Sequence, residues 1–145
     1  MALTLLLAAA LVQATPGAPA APAPLPVNWR AAPLHAGTWL YRTVPGGSEA
    51  LFQTNLGVQF TIRCTLATRR VSFLRTGAPP TMLLRIMTTT SERTLPVGNT
   101  VASFDPVLDA IAFSRGRLAV AAAPAPMLVM PSWAEPARAI EDCRK

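Results

Sequence analysis

The stretch VQFTIRCT, Val58–Thr65, sets the class of the fold. Its apolar and polar residues alternate one for one. Val58, Phe60, Ile62 and Cys64 take one side, and Gln59, Thr61, Arg63 and Thr65 take the other. A period of two is that of a half-buried strand. Upstream, Thr38–Val44 and Glu49–Thr54 are rich in aromatic and β-branched residues. They flank Pro45-Gly46-Gly47-Ser48, which is turn chemistry, so the pair reads as a hairpin. Gly57 marks the next turn. Downstream, Arg70–Leu74 reads as a partner strand after a short turn near Ala67-Thr68, and Gly77-Ala78-Pro79-Pro80 ends it. TMLLRIMTTT then reads as a further strand with Met82, Leu84 and Ile86 inward, and Leu95–Ala102 as an edge segment interrupted by Gly98-Asn99.

The period changes at FDPVLDAIAFSRG. Asp105 is a good N-cap, Pro106 fits the first helical position, and Gly116 stands where a helix would stop. Val107, Leu108, Ile111 and Ala112 share one face of this short helix. Arg117–Ala122 and Met127–Met130 return to strand around Pro124-Ala125-Pro126. In PSWAEPARAIEDCRK, Pro131–Lys145, Ser132 and Glu135 have the spacing of a capping box, opening a helix. Trp133, Ala137, Ile140 and Cys143 fall on one side of it, with Arg138 placed to pair with Glu135 and Asp142 on the wet side.

Cys143 and Cys64 are the two cysteines, and both point inward. In an exported chain they read as one disulfide that pins the C-terminal helix to the central strand. Export itself is read from the first residues. Ala2–Val12 is apolar apart from Thr4, shorter than the roughly 20 residues a bilayer span needs. Val12-Gln13-Ala14 offers small residues at cleavage spacing. Only the terminal amine is positive ahead of this run, and the competing reading is an uncleaved anchor or a misplaced start. Residues 1–20 are therefore expected to be a signal peptide, cut after Ala14 or Ala20. Residues 21–35, mostly Pro and Ala, form a tether, with Trp29 and Leu34 docking at its end. Residues 36–145 form one β-rich domain.

The formal charge is +6 and Lys145 is the only lysine. The arginines are scattered, with Arg69-Arg70 the one adjacent pair, so the charge does not draw a nucleic-acid footprint. No constellation announces catalysis. The single histidine, His35, lies in or beside the tether and reads as a solvated loop residue. GGSEA, Gly46–Ala50, is close to a nucleophile elbow, but strands flank it where an elbow needs a strand-to-helix turn. Asp105 with Asp109, and Glu141 with Asp142, sit at helix ends and read as structural. Two cysteines and one distant histidine make no zinc site, so neither metal nor cofactor is expected. The most pointed stretch is SRGR, Ser114–Arg117. Arg115, Gly116 and Arg117 have the chemistry to hold an anion, against the plainer reading of arginines covering a helix end. Arg63, Arg70 and Arg85 are placed to line one outer sheet face.

FDPVLDAIAFSRGRLAV and LVMPSWAEPARAIEDCR, following FTIRCTLATRRVSFLR, resemble small exported proteins of Sphingomonas-type alphaproteobacteria that carry no assigned function. The order of a strand-borne cysteine, mixed β structure and a capped ending is also similar to the invasion-associated locus B proteins, without their additional cysteines. The small periplasmic lysozyme inhibitors, β-barrels with an early and a late cysteine, are a third likeness. None of these resemblances implies a reaction. The expectation is thus a mainly-β single domain of seven or eight strands, a sandwich or flattened barrel with two short helices. It would be periplasmic or secreted, with no membrane span after signal cleavage. It would act as a non-catalytic binding or envelope-associated module whose partner is an envelope component or protein. The alternative is an inhibitor of a hydrolase such as lysozyme.

Overall fold

The computed structural model describes residues 28–145. The expected signal peptide and the first part of the tether lie outside the described residues. Nine strands and two helices follow in the order β1 (Thr38–Val44), β2 (Gly47–Thr54), β3 (Gly57–Thr65), β4 (Arg70–Arg75), β5 (Arg85–Met87), β6 (Glu92–Thr94), β7 (Thr100–Ala102), α1 (Pro106–Ala112), β8 (Arg117–Ala122), β9 (Ala125–Pro131) and α2 (Ala134–Asp142). They build two antiparallel sheets, β1-β2-β3-β4-β7 and β6-β5-β8-β9. The sheets do not close on one another, so the architecture is a β-sandwich and not a flattened barrel.

The core lies between the sheets and under the helices. Trp39, Phe52, Phe60 and Phe73 fill it from the first sheet in tilted, edge-on and stacked contacts, with centroids 5.4–6.4 Å apart. Fully burying one such side chain contributes about 2–3 kcal/mol. Ile86, Leu118, Val120, Leu128 and Met130 answer from the second sheet. α2 packs on β1, β2 and β3, and α1 packs on α2.

β8 and β9 read as continuous apolar runs because the second sheet is covered on both faces. On its outer face Met87, Ala119 and Val129 stand in register across three strands, and Trp29 lies on this row with 5% exposure. The tether's end is therefore a clasp. Arg117 Nη1 donates to Ala32 O at 2.7 Å, and His35 N donates to Val129 O at 2.8 Å. His35 Nδ1 accepts from Val129 N at 3.1 Å, so the histidine is exposed but tied to β9. Leu34, expected to dock, remains 43% exposed.

Five local expectations are corrected. The strand over TMLLRIMTTT shrinks to Arg85–Met87 and leaves Met82 exposed, because Asn99 holds Met82 O and Leu84 N in a loop instead. The Ser132–Glu135 capping box does not form. Trp133 stands at the N-cap of α2 and gives no side-chain cap, and Ser132 Oγ donates to Ser114 O at 2.6 Å. Trp133 stays 46% exposed, and the buried face of α2 is Pro136, Ala139, Ile140 and Cys143. Arg138 pairs with neither acid; its guanidinium lies 3.9 Å over the Tyr41 ring. α1 follows its expected caps at the start, where Asp105 accepts from Val107 N, but it ends at Ala112. Gly116, at φ +75°, instead turns the chain into β8.

Candidate functional site

Cys64 and Cys143 are joined, with Cα atoms 5.4 Å apart, and tie α2 to the middle of the first sheet. Around this tie Asp142 accepts from Tyr41 Oη at 2.5 Å and from Lys145 Nζ at 2.7 Å. Ser48 is buried beside the same carboxylate without hydrogen-bond geometry. Burial alone would raise the Asp142 pKa. The donors Lys145 and Tyr41, with the Ser48 hydroxyl nearby, outweigh it and hold the carboxyl below its usual range.

The anion-site residues of SRGR are placed apart from one another in their bonding. Arg115 N donates to Thr89 Oγ1 at 3.1 Å while its side chain is exposed. Gly116 O accepts from Ser132 N at 3.2 Å, and Arg117 holds Ala32. Of the three arginines expected on one outer face, Arg63 and Arg70 share that of the first sheet and Arg85 lies in the second. Arg63 joins Arg42 on the buried carboxylate of Glu49 in the first sheet, Arg70 donates to Thr100 O, and Arg85 pairs with Glu92 in the second sheet. The acids at the helix ends are engaged likewise: Asp105 with Arg93, and Asp109 and Glu141 with Arg144. Among the described residues no three His, Cys, Asp or Glu side chains converge in a metal-like group.

The residue that the sequence reading passed over is Arg75. Val71, Phe73 and Arg75 occupy successive inward positions of β4, so an arginine stands where the pattern asks for an apolar residue. It is 7% exposed. A β-bulge receives it. The register of β2 and β3 slips between Phe52 and Gln53, leaving Gln59 unpaired and turning Val58 outward to 37% exposure. That overturns the strict alternation expected at the start of β3. The extra residue serves the guanidinium. Nη1 donates to Gln59 O at 3.0 Å, Gln59 Oε1 at 3.2 Å and Thr76 O at 2.8 Å, and Nη2 donates to Pro126 O at 3.1 Å. Arg75 thus stitches the first sheet to the start of β9.

All these acceptors are neutral. No carboxylate faces Arg75 among the described residues, and Nε has no partner. Burial without a counter-charge lowers the guanidinium's pKa from its ordinary value. Arg75, Gln59 and Pro126 all line a cleft of about 340 Å³ at one end of the sandwich. His35, Asn55 and Leu56 form its rim, and Leu128 its apolar floor. Arg75 also borders a second cavity of about 250 Å³, walled by Phe73, Pro79, Pro80 and Leu84. Two of the residues that accept from the guanidinium, Gln59 and Pro126, line the first cleft and neither lines the second.

No protein-family model, curated protein or solved structure matches the chain.

Proposed function

We propose that the protein is an exported, non-catalytic binding module associated with the cell envelope, periplasmic or secreted. The observation that carries the binding reading is Arg75, a buried cation without a counter-charge, bordering an open cleft. A charge held in this way is an unfavourable feature for a fold that needs only stability, and a natural one for a site that receives an anion. The cleft's other polar side chains, His35, Thr54, Asn55 and Gln59, include no nucleophile paired with a base. The disulfide is compatible with an oxidising compartment, and none of the described helices is long and apolar enough to cross a membrane. The resemblance to small exported alphaproteobacterial proteins supports the same reading.

The test is expression of the full chain in a Gram-negative host. Intact mass of the periplasmic protein is measured with and without reductant and alkylation, followed by co-sedimentation with purified sacculi and lipopolysaccharide. The reading expects a mass lacking residues 1–14 or 1–20, thiols blocked until reduced, and retention on one polymer without its hydrolysis. A full-length mass with two free thiols, retention on neither polymer, or turnover of either would overturn it.

A further inference from the structure

We infer that the cleft bordered by Arg75 binds a carboxylate carried on a small aliphatic body. This rests on the binding-module reading and names its ligand class.

The donor arithmetic points to a carboxylate. A guanidinium has five N–H groups in one plane. Nη1 carries two hydrogens and meets three acceptors. Nη2 carries two and meets one, Pro126 O. Nε carries one and meets none. The donors left over are Nε–H and one hydrogen of Nη2. Nε–H and the Nη2 hydrogen parallel to it are the two donors of the side-on fork in bidentate arginine recognition. One uncompensated cation in a partly apolar cleft balances a single negative charge, so the site favours a monoanion over a phosphate dianion.

The body of the ligand follows from the walls. Ala36, Leu56, Pro126 and Leu128 give the cleft an apolar lining around its buried cation. A volume of about 340 Å³ stands at the small end of ligand pockets, which span about 300–1,000 Å³. Leu56, at the tip of the β2–β3 turn and 83% exposed, is free to fold over a bound aliphatic chain. Entry requires the wall around Nε to yield, because Nε is sealed from solvent.

Two sources present this chemistry: a free aliphatic acid, or the terminal carboxylate of a peptide. The purified, disulfide-bonded protein is titrated by calorimetry at millimolar ligand with pentanoate and N-acetyl-Ala-Ala. Controls are pentanamide, N-acetyl-Ala-Ala-amide and inorganic phosphate. At least one acid should bind about tenfold or more tightly than its amide, the value of a charge-assisted hydrogen bond. Whichever acid binds identifies the source. Arg75→Lys, which keeps charge but loses the fork, should weaken binding about tenfold or more. Leu56→Trp, on an exposed turn, should block the rim while leaving the fold intact. Equal affinity for acid and amide, binding of phosphate as tightly as of either acid, no heat with either acid, or unchanged binding in Leu56→Trp would each overturn the inference. If Arg75→Lys does not fold, the acid–amide contrast in the native chain still decides. Retention on an envelope polymer without carboxylate binding would sink this inference and leave the binding module standing. Carboxylate binding without polymer retention would keep the binding site and remove the envelope association.

Discussion

Tyr41 donates its hydroxyl to Asp142 at 2.5 Å, joining the first strand to the last helix across 101 positions of sequence. With Lys145 on the other carboxylate oxygen, the contact locks the end of α2 beside the disulfide. The folded state holds the Asp142 pKa below its unfolded value. The stability this gives is therefore fully present above the usual carboxylate pKa, near 4, and is lost as pH falls through the lower folded value. Asp142→Asn should lower stability by about 1 kcal/mol at neutral pH and flatten the acid limb of the stability curve below about pH 4. Urea unfolding from pH 7 down to 2 checks it. An unchanged acid limb in the variant would remove Asp142 from this role.

The Cys64–Cys143 bridge closes a separation of 79 residues. Chain entropy alone makes that worth about 4–5 kcal/mol. Reduction, or the double change Cys64→Ala with Cys143→Ala, should destabilise by about 2–5 kcal/mol and loosen α2 first. Thermal unfolding with and without reductant, with amide exchange in 134–142, measures both effects.

Asn99 combines a left-handed backbone with two buried side-chain bonds. Its φ is +47°, Oδ1 accepts from Leu84 N at 2.9 Å, and Nδ2 donates to Met82 O at 2.7 Å. Asn99→Gly keeps the backbone freedom and should lose about 1–3 kcal/mol; Asn99→Ala adds the positive-φ strain and should lose about 1 kcal/mol more. The order Asn above Gly above Ala in urea midpoints is the expected result.

Trp29 belongs energetically to the domain although its composition belongs to the tether. Its ring covers Met87, Ala119 and Val129, and Arg30 stacks 4.6 Å from its centroid. Trp29→Ala should cost about 3 kcal/mol and expose the 30–35 segment to protease well before the strands. Limited proteolysis followed by mass mapping tests this. Equal protection of that segment in both proteins would show that the clasp holds without the tryptophan.

Local sequence was sufficient for the elements whose own periodicity or punctuation is strong. The β1–β2 hairpin, β3, β4 and α1 lie where alternation, Gly-Gly turn chemistry and the Asp105-Pro106 start place them. The disulfide was legible because both cysteines fall on inward positions. The capping box failed because a tertiary acceptor, Ser114 O, competes for the Ser132 hydroxyl. Trp133 failed because helical phase alone does not say which side a sheet will approach.

By itself, then, the sequence determined a mainly-β domain with two short helices and one bridge, since those features are written in residue spacing over a few turns or strands. The site was decided by the tertiary structure. Arg75 is an inward arginine in β4, visible as an anomaly in Val71-Ser72-Phe73-Leu74-Arg75, yet its meaning depends on groups far along the chain. A bulge at Gln59 and the carbonyl of Pro126, 51 residues away, take some of its donors and leave the rest unmatched. Register and sheet-to-sheet approach are collective outcomes of packing, and no local pattern encodes which charge they will bury without a partner.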